Sequence, residues 1–144
     1  MLLIGYGNPG RGDDGLGPAF AERIERAGLP GVTVMVDYQL TVEHAFDVAG
    51  AGQVVFADAL IGGAGAFRFT EAAPATDADI TSHSLSPEAV LTLARTLYDA
   101  APEAHVMGIT GQDFGEVREG LSDPAQGNLD RAVEFFLDWA KDRR

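Results

Sequence analysis

Short apolar runs alternate with helical patterns along the chain of 144 residues. Five of these runs predict strands, because they are short, rich in β-branched or aromatic residues, and bounded by glycine or polar residues. They lie at residues 2–4, 32–36, 54–57, 67–69 and 106–109. Asp58 directly follows the third run and is expected to mark the end of that strand.

Three helices are predicted from apolar residues that recur every three or four positions. The first follows Leu16, Phe20 and Ile24, and a weaker helical pattern covers residues 42–48. The second begins at Ser86-Pro87, where a serine N-cap precedes a proline at the first helical position. The third is C-terminal, and its apolar stripe consists of Leu129, Val133, Phe136, Leu137 and Ala140.

The alternation of strands with helices is typical of an α/β fold. Because the chain has no internal repeat and no change of composition that would mark a linker, residues 1–144 are predicted to form a single domain. We expect a mainly parallel sheet of about five strands, flanked by helices on both faces. The Ala-, Pro- and Asp-rich stretch at 71–79 is expected to be a surface loop.

The charge balance narrows the possible partners. The chain has 10 Lys+Arg against 22 Asp+Glu, a net charge of −12. Binding to nucleic acid or to anionic lipid needs a positive surface, so we expect neither a nucleic-acid nor a membrane partner. The absence of cysteine excludes disulfides, thiolate metal sites and a cysteine nucleophile. The N-terminus lacks the basic segment of a signal peptide, and we expect a cytoplasmic protein.

The first loop matches a nucleotide-binding motif, but its chemistry argues against that function. Gly5-Tyr6-Gly7-Asn8-Pro9-Gly10 fits the spacing G-x-G-x-x-G after a strand, and Asp37 ends the next predicted strand. Pro9 lacks one of the N–H donors that bind pyrophosphate, and the helical pattern starts only near Leu16. Two carboxylates in between would also repel a phosphate. We therefore expect a tight acidic loop here.

Two acids and a histidine are the candidate chemical groups, at or near the predicted carboxyl ends of strands. They are Asp14, Asp58 and His83. Asp13 is expected to cap the following helix, which leaves Asp14 free to point into a cleft. Taken singly, Asp58 fits a turn residue and His83 fits a loop histidine with ordinary hydrogen bonds. Taken together, two carboxylates and one imidazole suit a divalent metal ion with open coordination positions.

Several segments resemble one known family. Gly5-Tyr6-Gly7-Asn8 is followed by Asp13-Asp14-Gly15-Leu16-Gly17, and Ala57-Asp58-Ala59 and His83-Ser84-Leu85 come later in the same order. These motifs resemble those of the maturation endopeptidases of nickel–iron hydrogenases, and the likeness extends over residues 3–121. The second acid of the opening pair is often glutamate in that family, whereas this chain has Asp14. The resemblance implies a phosphorylase/hydrolase-like α/β fold.

The resemblance also implies a function. Such proteases remove a C-terminal extension from the precursor of the hydrogenase large subunit, which is the expected protein partner, after nickel has been inserted. Asp14, Asp58 and His83 match the family's metal ligands and are the expected catalytic residues. The metal is expected to be nickel carried by the substrate, and cadmium or zinc can replace it in crystals.

Three mechanisms are open: metal-assisted hydrolysis, recognition of the substrate's nickel as a gate on cleavage, and an aspartic-type reaction that pairs Asp14 with Asp58. The metal-gated mechanism is favoured. A non-catalytic nickel-sensing or metal-chaperone domain would use the same ligands and is the alternative function.

Three further polar residues have weaker signals. Asp37 is expected either to hold the Tyr38-Gln39 loop or to orient His83. His44 lies within the weaker helical pattern and is expected at the surface, and His105, at the start of the last strand, is expected to be structural.

Overall fold

A computed structural model of the chain describes residues 1–75, 85–115 and 117–143. Within these residues, five strands and four α-helices alternate along the sequence, except that the third and fourth strands are consecutive. The strands are β1 Leu2–Tyr6, β2 Thr33–Asp37, β3 Gln53–Ile61, β4 Phe67–Ala72 and β5 Glu103–Gly111. The helices are α1 Leu16–Ala27, α2 His44–Ala49, α3 Pro87–Tyr98 and α4 Asp123–Lys141, and a short 3₁₀ helix at Gly12–Gly15 precedes α1.

The five strands form one sheet in the order β2-β1-β3-β5-β4. All neighbours are parallel except β4, which runs antiparallel to β5 at one edge. The reversal follows from chain length, because the link at 62–66 is far shorter than the crossover of about a dozen residues that a parallel connection needs. The predicted mainly parallel five-stranded sheet is confirmed.

Helices cover both faces of the sheet, as predicted. On one face α1 and α4 pack through Phe20, Ile24 and Phe136 against Leu3, Val55 and other strand residues. On the other face α2 and α3 pack through Val48, Val90 and Leu91 against Ile4 and Phe56. Successive strand residues point to opposite faces, so each central strand contributes to both cores and is apolar along most of its length.

Serine residues cap the N-termini of α3 and α4. The Ser86 hydroxyl accepts a hydrogen bond from the N–H of Ala89, with Pro87 at the first helical position, so the predicted cap is confirmed. Ser122 caps α4 in the same way, through the N–H of Ala125, although only the later apolar stripe of α4 was predicted. None of the helices in the described part of the chain has the length and apolar character needed to cross a membrane.

His105 has the structural role that was expected. Its ring is buried and stacks on Phe69, with ring centroids 4.9 Å apart, and the edge of Trp139 packs against it at 5.1 Å. Burial lowers the pKa of His105, although the nearby Glu103 and Glu71 carboxylates oppose this effect. A neutral imidazole therefore packs as an aromatic ring between β4 and α4.

Two adjacent phenylalanines of α4 provide a test of which side chains form the core. Phe136 is fully buried and meets Phe20 edge to face at 5.4 Å, whereas Phe135 is 38% exposed. We expect Phe136→Ala to lower the free energy of unfolding by about 3–5 kcal/mol, because a large cavity would remain in the core. Phe135→Ala, measured by the same urea denaturation, should cost clearly less, and equal losses would contradict this assignment of the core.

Candidate active site

The candidate site lies in the crevice between the carboxyl ends of β1 and β3. After β1 the chain passes through α1 to β2 on one side of β1, whereas β3 pairs with the other side. This change of direction opens a crevice at the carboxyl end of the sheet, which is where ligands bind in open α/β sheets. The topology thus brings the loop after β1 to the part of β3 that begins just beyond its last pair with β1, Gly5↔Ala57.

Asp58 lies within β3 and does not end it, contrary to the prediction. The strand continues to Ile61 because β5 pairs with it residue by residue as far as Ile61↔Gly111. Pairing with the long β5 therefore extends β3 beyond its apolar run. The Asp58 carboxylate is partly buried and accepts a hydrogen bond from the N–H of Ala59 at 2.7 Å. Asp58 consequently has a position fixed by the sheet.

The surroundings of Asp58 disfavour its charged form. Burial is the largest effect, and together with the negative charge of Asp14 it raises the pKa of Asp58 to about 6. The N–H of Ala59 and the hydroxyl of Tyr6 act in the opposite direction, because both donate to the carboxylate. Asp58 directly follows the last residue of β3 that pairs with β1, and Asp14 is bonded to Asn8 in the loop after β1, so both residues lie at the carboxyl end of these two strands.

Tyr6 is a residue of the site that the sequence reasoning missed. It is the last residue of β1, and burial together with the Asp58 carboxylate raises the pKa of its hydroxyl. The phenol therefore stays protonated and can donate to Asp58. Its position between Gly5 and Gly7, at the end of the strand beside the crevice, is the sequence signal that would have found it.

Asp14 is held in the 3₁₀ turn before α1 by the glycine loop. Its carboxylate accepts a hydrogen bond at 2.8 Å from the N–H of Asn8, and the side chain of Asn8 in turn accepts from the N–H of Gly10. Gly7 has a φ of +142° and lies so close to the backbone of Asp14 that a Cβ atom would collide with it. The loop needs glycine at this position, and it brings Asp14 to the crevice.

These contacts also bear on the rejected nucleotide motif. The helix α1 begins at Leu16, as expected, and the N–H groups of Asn8 and Gly10 already donate to side chains of the same loop. A carboxylate thus lies where a phosphate would have to bind.

Asp13 does not cap α1, contrary to the prediction, since α1 has no side-chain hydrogen bond at its N-cap. The fully buried Asp13 carboxylate instead accepts four hydrogen bonds, from the N–H groups of Gln112, Asp113 and Ser122 and from the Ser122 hydroxyl. Burial opposes ionisation, but these donors together hold the pKa of Asp13 below its usual value. Asp13 therefore joins the loop after β1 to the loop after β5.

His44 is buried, contrary to its predicted surface position. Its Nδ1 accepts a hydrogen bond from the N–H of Thr41, and its Nε2 lies 3.4 Å from a carboxylate oxygen of Asp37. The other oxygen of Asp37 accepts from the N–H of Tyr38. Asp37 thus holds the loop at Tyr38, which is one of its two predicted roles.

The third predicted ligand, His83, lies outside the described residues, so the metal triad stays a prediction. So does the other expected role of Asp37, which was to orient His83. Within residues 1–75, 85–115 and 117–143, no three His, Cys, Asp or Glu side chains are grouped closely enough to hold a metal ion. In the described part of the site, Asp14, Asp58 and Tyr6 share one crevice.

Comparison with known proteins relates this arrangement to a fold. No family profile and no curated protein sequence matches the chain. Solved structures do match. The hydrogenase maturation protease HycI from Thermococcus kodakarensis KOD1 has a TM-score of 0.74 and 23% identity, over 97% of this chain and 91% of that one. The maturating endopeptidase HybD from E. coli has a TM-score of 0.71 and 19% identity, over 99% and 92%. The chain shares the fold of these proteins.

The buried Asp13 gives a first prediction for the site. Asp13→Asn should lower the free energy of unfolding by about 2–4 kcal/mol, because an amide nitrogen would face an N–H donor and the charged hydrogen bonds would be lost. Asp14→Asn, measured by the same urea denaturation, is the matched control and should change the stability by less than about 1 kcal/mol.

The pH dependence of this difference follows from the lowered pKa of Asp13. The stabilisation by the charged Asp13 carboxylate is complete when the pH is above 3.8, the ordinary pKa of this group. It is lost as the pH falls through the lower pKa of the folded state. The gap between wild type and Asp13→Asn should therefore narrow below that pH, and a gap that persists unchanged in strong acid would contradict the role of the charge.

Asp58 should behave in the opposite way. Because its pKa is raised to about 6 in the folded protein, ionisation destabilises the fold at neutral pH. Asp58→Asn keeps the acceptor for Ala59 and should raise the free energy of unfolding by roughly 1–2 kcal/mol at pH 7. This gain should disappear below about pH 4, and thermal denaturation over the pH range measures it. A loss of stability at pH 7 would contradict the unfavourable charge.

Proposed function

We propose that this chain is an endopeptidase that removes the C-terminal extension from the precursor of a nickel–iron hydrogenase large subunit. Solved structures of the same fold are described as hydrogenase maturation proteases and a maturating endopeptidase. The observation that carries the proposal is the position of two carboxylates at the carboxyl end of the sheet: Asp58 just beyond the last β1–β3 pair, and Asp14 bonded to Asn8 in the loop after β1. The sequence motifs around both residues resemble the same family.

The chemistry of the carboxylate pair fits a divalent cation. Asp14 and Asp58 repel each other when both are charged, and burial makes the charge on Asp58 more unfavourable still. A cation between them would relieve both effects and would favour the fully ionised pair. We propose that this cation is the nickel of the precursor, which is part of the substrate, and that His83 supplies the third ligand on the strength of the sequence resemblance.

In this proposal the metal gates cleavage through differential affinity. A precursor that carries nickel gains the two oxygen ligands and the imidazole, whereas an empty precursor leaves two repelling carboxylates in the crevice. The loaded precursor therefore binds with its scissile peptide over the site more of the time. The phenol of Tyr6 stays protonated and orients Asp58 by donating to its carboxylate.

The first experiment compares nickel-loaded and nickel-free precursor as substrates. The loaded precursor should be processed. The empty precursor should be processed about 100-fold more slowly, because it lacks the cation that relieves the repulsion between the two carboxylates. The mass of the products, followed by mass spectrometry, gives both the rate and the cleavage site. Equal rates for the two forms would contradict the gate. Nickel binding without any cleavage would favour a metal-sensing or metal-chaperone domain instead.

Variants then separate function from folding. Asp14→Asn, Asp58→Asn and His83→Ala should each slow processing by about 100-fold or more, while circular dichroism shows a folded protein. Asp138→Asn is the matched control, because this acid on α4 is 86% exposed. Asp58→Asn is the sharpest case, since it should be inactive and yet more stable than the wild type. Unchanged processing by any of the three would contradict its role as a ligand.

A further inference from the structure

The edge strand β2 has backbone groups that face away from its only strand neighbour in the described sheet, β1. The N–H of Thr33 donates to Met1 and the N–H of Gly7 donates to the carbonyl of Asp37, so residues 33, 35 and 37 bond to β1. In a parallel pair the intervening residues direct their N–H and C=O groups away from the partner. The groups of Val34 and Val36 therefore point outward, and in the described residues no backbone group bonds to them.

This edge also lacks the usual protection against pairing. Exposed edge strands normally carry charged residues, proline or a bulge, because free backbone groups invite another strand. β2 reads Thr-Val-Met-Val-Asp, with no proline and no charge before Asp37, and none of its five residues is buried. The opposite edge, β4, carries the exposed charges of Arg68 and Glu71. The apolar, open edge is therefore confined to the β2 side.

The open edge is continuous with the candidate active site. β2 ends beside Gly7, which bonds to Asp37 and packs against the backbone of Asp14. A cavity of about 290 Å³ lies at this junction, lined by Gly7, Pro9, Pro18, Val36, Asp37 and Tyr38. Asp37 and Tyr38 are its only lining residues with polar side chains and Asp37 its only charged one, so it suits an apolar or basic side chain and disfavours an acidic one.

Strand geometry relates the edge to the crevice. Neighbouring strands lie about 4.8 Å apart, so a strand added to β2 would run about 10–14 Å from β1 and β3. An extended chain covers that distance in about three or four residues. A peptide paired with β2 can thus place a bond a few residues away over Asp14 and Asp58.

We propose that the β2 edge binds the C-terminal tail of the substrate as an added strand, through the outward N–H and C=O groups of Val34 and Val36. This inference rests on the proposed function and deepens it. The tail binds in an extended form, carries no net negative charge in view of the chain's −12, and places an apolar or basic side chain in the cavity at Asp37.

A proline substitution tests the backbone contact. Val36→Pro removes an N–H that β1 does not use, and proline is tolerated on edge strands when its nitrogen faces outward. With nickel-loaded precursor we expect the KM to rise about tenfold while kcat stays within about twofold, because one backbone hydrogen bond is lost and the added strand is crowded. Val36→Ala keeps the N–H. Its KM should therefore be at least about threefold lower than the KM of the proline variant.

A second measurement does not depend on the folding of a variant. Synthetic peptides with the sequence of the precursor's tail, each methylated at one backbone nitrogen, compete with the precursor for the wild-type protein. Strand pairing uses alternate residues, so inhibition should be lost at every second position and kept at those between. Equal KM values for Val36→Pro and Val36→Ala, or a methylation scan without this period of two, would overturn the proposal.

The outcomes distinguish a failure of the proposed function from a failure of strand pairing at β2. If the wild type does not process the precursor at all, the proposed function is wrong. If it does, and Val36→Pro leaves the KM unchanged but converts a dimer into a monomer in sedimentation, the edge pairs with a second copy of this chain, and the inference is overturned while the proposed function stands.

Discussion

The buried carboxylate of Asp13 is the constraint on which the site depends. It receives four hydrogen bonds from the loop between β5 and α4, and the backbone adds to them, since the N–H of Gly12 donates to Arg118 and the N–H of Arg118 donates to Gly10. Two loops far apart in sequence become one rigid unit. The next residue, Asp14, inherits a fixed position at the crevice.

Two neighbouring acids therefore have opposite roles because their surroundings differ. Asp13 is surrounded by donors, so its charge is favourable and holds the structure together. Asp14 shares the crevice with Asp58, whose charge is disfavoured by burial and by Asp14 itself. In the proposed function, the nickel of the precursor would relieve this unfavourable pair of charges.

The sheet contributes the second element of the proposed function, since the strand nearest the site on one side is an open edge. In the proposed function the crevice would receive the reacting part of the substrate, and the β2 edge would bind the chain that leads to it. Both follow from one topology, because the step from β1 to β2 on one side and to β3 on the other creates the crevice and leaves β2 at the edge.

The sequence by itself determined the fold class, the approximate positions of the strands and helices, the cap at Ser86 and the presence of Asp14 and Asp58 after the first and third apolar runs, because periodicity and capping are local properties. Only the tertiary structure decided the extension of β3 past Asp58, the burial of His44 and the true role of Asp13. Each of these depends on partners distant in sequence: β5 for Asp58, the carboxylate of Asp37 for His44, and the loop ending at Ser122 for Asp13. A local pattern cannot identify partners that only folding brings into contact.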